Sequence, residues 1–386
     1  MTTPARMCVP LVDLAAQHAR LVGEIMPAVA EVVRRQAFIL GEPVAGFERV
    51  LASLCGASHA VGVASGSDAL FLALVALGIG AGDAVLTTPF TFVATAEAIV
   101  RAGATPVFCD IDEETLNLSP KAVRATIARL SNKLRIRALL PVHIFGRAAD
   151  MKALMDLARE HGLVVVEDAA QAIGAKTAEG TVGALGDAGC FSFFPTKNLG
   201  AWGDGGAVVT KDETVAARIR SLRAHGIATS AKGDHAEHVA FGLNSRLDAL
   251  QATVLTVKAR HLSAWTEARI RAAARYRELL APVEGRVMLP APSMREGHED
   301  HVFNQFVVRT ARRDALAAHL LAHGVASRAY YPRALHREPC FAGFEHAALP
   351  NADAAAATAL AIPLFPEITD DQQTYVAATI SGFFGP

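Results

Sequence analysis

The sequence predicts an α/β fold: a large unit built on a mostly parallel sheet flanked by helices, followed by a smaller C-terminal α+β unit. Three observations predict it. From about residue 58, short apolar runs alternate with helical patterns. Several of those runs are almost unbroken Val, Leu, Ile and Phe, as expected of parallel strands buried on both faces. Beyond residue 245 the pattern turns to long helix and then to a Pro-punctuated stretch, which places a division near residue 270.

Residues 10–55 read as helical, punctuated by Pro10, Gly41 and Pro43. Strands are expected at 59–64, 84–88, 105–109, 138–142, 163–167, 189–193 and 206–210. Helices fall between most of them, for example at 68–77, 95–102, 151–161 and 214–225. Alternating strand and helix implies a doubly wound sheet with helices on both faces. Long helix is expected over 245–280, a Pro-punctuated stretch over 282–292, a strand at 304–309 and a helix at 313–323. The expected domains are therefore 1–270, opening with a helical segment over 1–55, and 271–386. Apart from Ala-rich patches such as 354–357, no repeat or low-complexity segment stands out.

Composition narrows the function classes. The 386 residues carry a formal net charge of −1, with 19% charged and 52% hydrophobic residues. That balance gives no electrostatic reason to expect nucleic acid or an anionic membrane as partner, and disorder is not indicated. The five cysteines (Cys8, Cys55, Cys109, Cys190 and Cys340) are odd in number, widely spaced and form no CxxC. Buried, reduced thiols of a cytoplasmic protein are expected rather than a disulfide framework or a zinc cluster. The first twenty residues lack the long apolar core of a signal peptide. The apolar stretch 69–82 is too short to span a membrane.

Three segments carry chemistry. Ala64-Ser-Gly-Ser-Asp-Ala-Leu70 follows an expected strand and opens an expected helix. Free N–H groups and the Ser65 and Ser67 hydroxyls there suit a phosphate, which the helix dipole also favours. An ordinary cap, with Ser67 bonding the first turn, fits equally well. In Leu163-Val-Val-Val-Glu-Asp-Ala-Ala-Gln171, Asp168 lies just past a buried strand, where ligands of open α/β sheets bind. It is placed either to pair with a cationic ring nitrogen or to cap loop amides. The third segment, Gly189-Cys-Phe-Ser-Phe-Phe-Pro-Thr-Lys-Asn-Leu-Gly-Ala-Trp-Gly-Asp-Gly-Gly-Ala207, is the sharpest. A lone Lys197 between an apolar strand and a Gly-rich turn is poorly placed for simple solvation. A partly desolvated lysine has a lowered pKa and serves as a Schiff-base nucleophile. Gly200, Gly203, Gly205 and Gly206 permit unusual backbone angles and close approach to a ligand.

Read together, these segments resemble the DegT/DnrJ/StrS sugar aminotransferases, members of the fold-type I pyridoxal-phosphate (PLP) enzymes. The likeness runs from Val9-Pro-Leu-Val-Asp-Leu14 and Phe38-Ile-Leu-Gly41 through Thr88-Pro-Phe-Thr-Phe-Val-Ala-Thr95 and Pro141-Val-His-Ile-Phe-Gly146. It continues through Gly242-Leu-Asn-Ser-Arg-Leu-Asp248 to Tyr330-Tyr-Pro332 with Leu335-His336. The resemblance implies that Lys197 holds the cofactor and then moves the proton. It implies Asp168 as partner of the pyridine nitrogen, Gln171 near the ring hydroxyl, and Gly66, Ser67 and Ser192 around the phosphate. Phe92, ahead of Phe90, is the implied stacking aromatic. Asn244 is implied to reach the phosphate of a second subunit, making a homodimer with shared sites. Arg246, Tyr331 and His336 are implied near the substrate, and His143 near a cofactor-side loop. The implied reaction is ping-pong transfer of an amino group from an amino donor, L-glutamate, to a nucleotide-linked keto sugar. A dTDP- or UDP-linked 3-keto sugar is expected, with a 4-keto sugar as the alternative. Lys197 stands where a dehydratase branch of the family carries His.

Three rival classes have less support. A metal enzyme would rest on His298-Glu-Asp-His301, but HExxH is absent and surface histidines are expected there. A nicotinamide oxidoreductase would rest on Gly78, Gly80 and Gly82, which follow a helix where a dinucleotide loop follows a strand. A non-catalytic regulator or binding protein would not need the Lys197–Asp168 pair.

Overall fold

The computed structural model describes residues 7–228, 237–291, 300–344 and 346–385. Two amphipathic helices come first, α1 (Leu14–Arg35) and α2 (Gly41–Cys55). The helical stretch divides at the expected punctuation, α2 starting at Gly41, and Gln36 and Leu40 in the link both adopt positive φ. The alternating region follows: β1 (His59–Val63), α3 (Gly66–Ala76), β2 (Asp83–Thr87), α4 (Val93–Arg101), β3 (Thr105–Phe108), α5 (Pro120–Leu130) and β4 (Arg135–Leu140). Next come α6 (Met151–His161), β5 (Val164–Asp168), a small hairpin of β6 (Lys176–Thr177) and β7 (Gly180–Thr181), β8 (Ala188–Ser192), β9 (Gly206–Thr210) and α7 (Glu213–Leu222).

All seven expected strands are present, within a few residues of their expected ends. They form one sheet in the order β1-β9-β8-β5-β4-β2-β3. Only β9 runs antiparallel to its neighbours, pairing β1 on one side and β8 on the other. Strand side chains alternate in direction, so each strand supplies two cores. Val61, Val63, Val85, Leu140, Val166, Cys190 and Val208 face α3, α4 and α7. Towards the other face, Ala60, Phe191, Ala207 and Val209 pack with α2, while Leu86, Val107, Leu139 and Val165 pack with α5 and α6. The parity matters for the site: Asp168 shares a face with Val166, and Glu167 points the opposite way with Val165.

The expected long helix over 245–280 divides into α8 (Ala249–Ala259), capped by Asp248, and α9 (Leu262–Leu280). Then follow β10 (Phe306–Arg309), α10 (Arg313–Ala322), α11 (Pro350–Thr358), β11 (Ala359–Ile362) and α12 (Asp370–Phe384). The Ala-rich patch belongs to α11, which feeds directly into β11, the antiparallel partner of β10. This C-terminal core also takes in Val9 from the start of the chain.

Three expectations are corrected. Cys55, Cys109 and Cys190 are buried free thiols, but Cys8 and Cys340 are exposed. His301, expected at the surface, is buried and stacks on Phe303 at 3.8 Å between ring centroids; burial pushes its pKa down. His298 and Pro292 lie outside the described residues. The third concerns Gly200, Gly203, Gly205 and Gly206, none of which has positive φ. Their smallness serves packing: a Cβ on Gly206 would lie 2.3 Å from the carbonyl of Ser65, and one on Gly200 would lie 2.2 Å from the carbonyl oxygen of Pro195. Among the described residues, no helix is long and apolar enough to cross a membrane, and no cluster of three or more His, Cys, Asp or Glu side chains is placed to hold a metal.

Candidate active site

The C-terminal ends of β5 and β8 meet the N-termini of α3 and α4. That is where a mostly parallel sheet offers its crevice. Helix α3 begins at Gly66, two residues before the expected start, so the serine segment is its first turn. Ser65, not Ser67, is the cap, its hydroxyl accepting the N–H of Asp68 at 3.1 Å. The Ser67 hydroxyl and the first N–H groups of the helix are left free of intrahelical partners. Ser192, at the end of β8, lies against this turn: a Cβ on Gly66 would come within 2.6 Å of the Ser192 Cβ. Gly206 approaches the same turn from β9. Two glycines thus let two strands close on one helix N-terminus and form a cradle of amide and hydroxyl donors.

Asp168 ends β5 and projects to the α4 side. Its Oδ2 accepts the Thr95 hydroxyl at 2.7 Å, Thr95 pairs with Thr91 at 2.9 Å, and the Ala170 N–H reaches Oδ1 at 3.2 Å. Burial holds the carboxyl above its ordinary range; the Thr95 hydroxyl, the Ala170 amide, and the charges of Lys197 and His143 pull it back towards ionisation. Thr91 and Thr95 were not singled out from the sequence, although they stand four apart in Thr-Phe-Val-Ala-Thr.

Lys197 is half-buried on the loop between β8 and β9. The loop is closed by backbone bonds from Phe193 to Gly205 and from Ala201 to Phe193, each 2.8 Å. It is anchored from outside by the Lys258 ammonium on the Gly200 carbonyl at 2.7 Å and the Asn198 amide on the Val302 carbonyl at 3.1 Å. Burial lowers the Lys197 pKa to about 8, against the opposing pull of Asp168. A lysine so placed carries a useful fraction of neutral, nucleophilic amine near neutral pH.

The other expected residues divide into two groups. Gln171 and Tyr331 join the cluster. The Gln171 amide donates to the Tyr331 hydroxyl at 3.1 Å, and its oxygen accepts the Phe145 N–H at 2.6 Å. Phe92, 57% exposed at the start of α4, presents its ring 6.3 Å from that of Tyr331. Phe90 is fully buried, edge-on to Phe145 and Tyr331.

The remaining residues face elsewhere. Asn244 is exposed, while its neighbour Ser245 ties back to α3 through Asp68 at 2.8 Å. Arg246 is half-buried with its Nε unpartnered. His143 lies on the other face of the sheet, its Nε2 3.0 Å from Glu167 and its Nδ1 accepting the Ala149 N–H. Glu167 is further held by the amides of Gly183, Leu185 and Gly186, each at 2.8 Å. His336 is buried against Asp353, 3.0 Å away, and beside His346; burial lowers its pKa.

Comparison with known proteins gives this arrangement its setting. Residues 20–381 match the DegT/DnrJ/EryC1/StrS aminotransferase family. A Geobacillus stearothermophilus protein named as a pleiotropic regulatory protein is 46% identical over 98% of this chain and 99% of its own. The UDP-N-acetyl-3-dehydro-alpha-D-glucosamine 3-aminotransferase of Acidithiobacillus ferrooxidans is 44% identical over 96% of this chain and 97% of its own. The crystal structure of S. venezuelae DesV in complex with a ketimine intermediate superposes with a TM-score of 0.89 at 41% identity, covering 97% of each chain. The chain belongs to the DegT/DnrJ/EryC1/StrS aminotransferase family, and its cofactor is PLP.

Proposed function

We propose that this chain transfers an amino group from an amino-acid donor, L-glutamate, to a nucleotide-linked keto sugar, a dTDP- or UDP-linked 3-keto sugar. The observation that carries the reading is Lys197, half-buried on its loop and within electrostatic reach of the buried Asp168 that Thr95 holds. The residues present fit the cofactor. Gly66, Ser67 and Ser192 offer donors for its phosphate, where the helix dipole adds attraction. Asp168 offers a carboxylate to its ring nitrogen, and Phe92 an exposed ring for its face. Gln171, pinned by the Phe145 amide, is held where a ring hydroxyl needs a partner.

When bound, PLP supplies an aldehyde that condenses with amines and a cationic ring that accepts electrons from the substrate carbon. Lys197 would hold the cofactor through its amine, and the same amine would serve as the base for a proton at the reacting carbon. Burial favours the protonated form of Asp168, while the Thr95 hydroxyl and the Ala170 amide favour the carboxylate that would pair with a protonated ring nitrogen. Tyr331, linked to Gln171 and lying beside Phe92, faces the substrate; Arg246 and His336 are assigned more remote contacts with it.

We propose a cytoplasmic homodimer. Asn244 is exposed on its own chain beside a fully exposed Phe241, which suits a residue that reaches the phosphate of a second subunit. The cytoplasmic assignment is supported by five cysteines without a disulfide. A large cofactor-binding unit over 1–270 and a small unit over 271–386 remain our division, supported by the core that forms from residue 272 onwards with Val9.

The test is amino transfer. Purified protein with PLP and L-glutamate is offered UDP- and dTDP-linked 3-keto and 4-keto sugars, and amino-sugar product is measured by mass spectrometry. Product from a 3-keto sugar supports the reading. Product only from 4-keto sugars refutes its regiochemistry, and no product from any of them refutes the substrate class.

A further inference from the structure

A second feature lies beside the site. A cavity of about 260 Å³ is lined by Thr196, Asn304, Gln305, Arg328 and Tyr330, with Leu11 closing one wall. Thr196 immediately precedes Lys197 and Tyr330 immediately precedes Tyr331, so the cavity adjoins the reacting centre. Asn304 is 4% exposed, yet neither its side-chain oxygen nor its nitrogen has a hydrogen-bond partner. The Gln305 oxygen is likewise buried without one. Leaving such groups unpaired is costly, and a ligand that bonds to them offsets that cost. The Arg328 guanidinium lies over the Tyr330 ring, 5.3 Å from its centroid, with no carboxylate in ion-pair range among the described residues.

The geometry points to this cavity as a carboxylate-binding subsite, in which Arg328 and the Asn304 amide hold a carboxylate of the substrate occupying the Lys197 site. One cation and neutral amides match a single negative charge, and a planar guanidinium fork matches the two oxygens of a carboxylate. The phosphate has its own donors at α3, none of which lines this cavity. The inference rests on the aminotransferase reading for which substrate brings the carboxylate: the amino-acid donor, or a sugar acid.

Calorimetric titration of the PLP-loaded protein tests it with two probes that cannot transfer an amine, glutarate and glucuronate. Arg328→Gln is a mild change at an exposed position, and Arg328→Lys is the conservative comparison. We expect Arg328→Gln to raise the Kd for glutarate tenfold or more, Arg328→Lys to raise it less, and PLP affinity to stay unchanged. If the loss falls on glucuronate instead, the subsite stands and the carboxylate belongs to the sugar. Equal Kd values in wild type and Arg328→Gln for both probes, or no binding of either by wild type, overturn it. The aminotransferase reading is checked separately, by whether glutamate changes the cofactor absorbance of wild type. If that fails while glutarate binding still depends on Arg328, the subsite survives and the assigned reaction falls.

Discussion

Replacing Thr95 by Val removes one hydroxyl from the buried partner of the cofactor ring and keeps the shape of the side chain. The bond lost is 2.7 Å long, is buried, and ends on a carboxylate. Hydrogen bonds to charged groups contribute about 1.5–3 kcal/mol. At most that amount is transferred to cofactor binding, a weakening of roughly ten- to a hundredfold in Kd. The same substitution alters the pH dependence of the cofactor-free protein, and the sign is fixed. Burial already raises the Asp168 pKa in the folded state. The folded protein therefore holds its proton to higher pH than the unfolded chain, and stability falls as pH rises through that window. Thr95→Val raises the pKa further and deepens the fall. The stability gap between variant and wild type should be small in acid, where Asp168 is protonated in both, and widen towards neutral pH. Thr95→Ser should restore most of both effects. PLP titration followed by absorbance measures the first effect, and urea melts from acid to neutral pH measure the second. A Thr95→Val protein with wild-type Kd and a pH-independent stability gap would refute the reasoning, because Thr95 would then not sustain the Asp168 charge.

The rate at which cofactor-free protein captures PLP, read as growth of the visible band, should rise with pH around a midpoint near 8, where Lys197 becomes neutral. Lys197 should also make the cofactor-free protein more stable as pH rises from about 8 towards its ordinary 10.5, because the unfolded chain binds the extra proton there. A rate that is flat over that range would count against the burial argument. Gly206→Ala puts a Cβ 2.3 Å from the Ser65 carbonyl, so it should cost about 1–3 kcal/mol and weaken PLP binding. Gly203→Ala, whose nearest neighbour is the flexible Gln251 side chain at 3.4 Å, should do neither; thermal melts and PLP titrations compare them. Phe90→Ala should cost about 3–5 kcal/mol of stability, whereas the exposed Phe92→Ala should leave the melting temperature nearly unchanged and weaken PLP binding several-fold, through about 1 kcal/mol of ring contact.

Much of the fold was legible because burial writes itself into composition. A strand covered on both faces must be apolar throughout, so runs such as Leu163-Val-Val-Val and Gly206-Ala-Val-Val-Thr announce their positions. Direction is not written there: nothing local distinguishes β9, which runs antiparallel, from the other strands of the sheet. β11 was hidden for a related reason, since Ala359-Leu-Ala-Ile362 continues the alanine pattern of α11 and becomes a strand only by pairing with β10.

The site was legible where chemistry is compressed into a short segment, as around Lys197. It was illegible where partners meet across the chain. Thr95 and Asp168 are 73 residues apart and are joined only by the packing of α4 on β5. Asn304 sits at the mouth of an apolar strand and reads as part of its edge. The Gly-rich turn misled in a specific way: glycines near a cofactor loop suggest strained backbone, whereas these four make room for neighbouring parts of the chain.

The central claim is that Lys197 and Asp168 form the working pair of a PLP aminotransferase. It is tested most directly by the absorbance spectrum of purified protein with PLP, before and after L-glutamate, for wild type and Lys197→Ala. Wild type should show a near-ultraviolet or visible band of lysine-bound cofactor, which glutamate converts to the shorter-wavelength amine form, and Lys197→Ala should show no such band before an amine is added. A wild type that shows no band with excess PLP, or a Lys197→Ala protein with the full wild-type band and response, would contradict it.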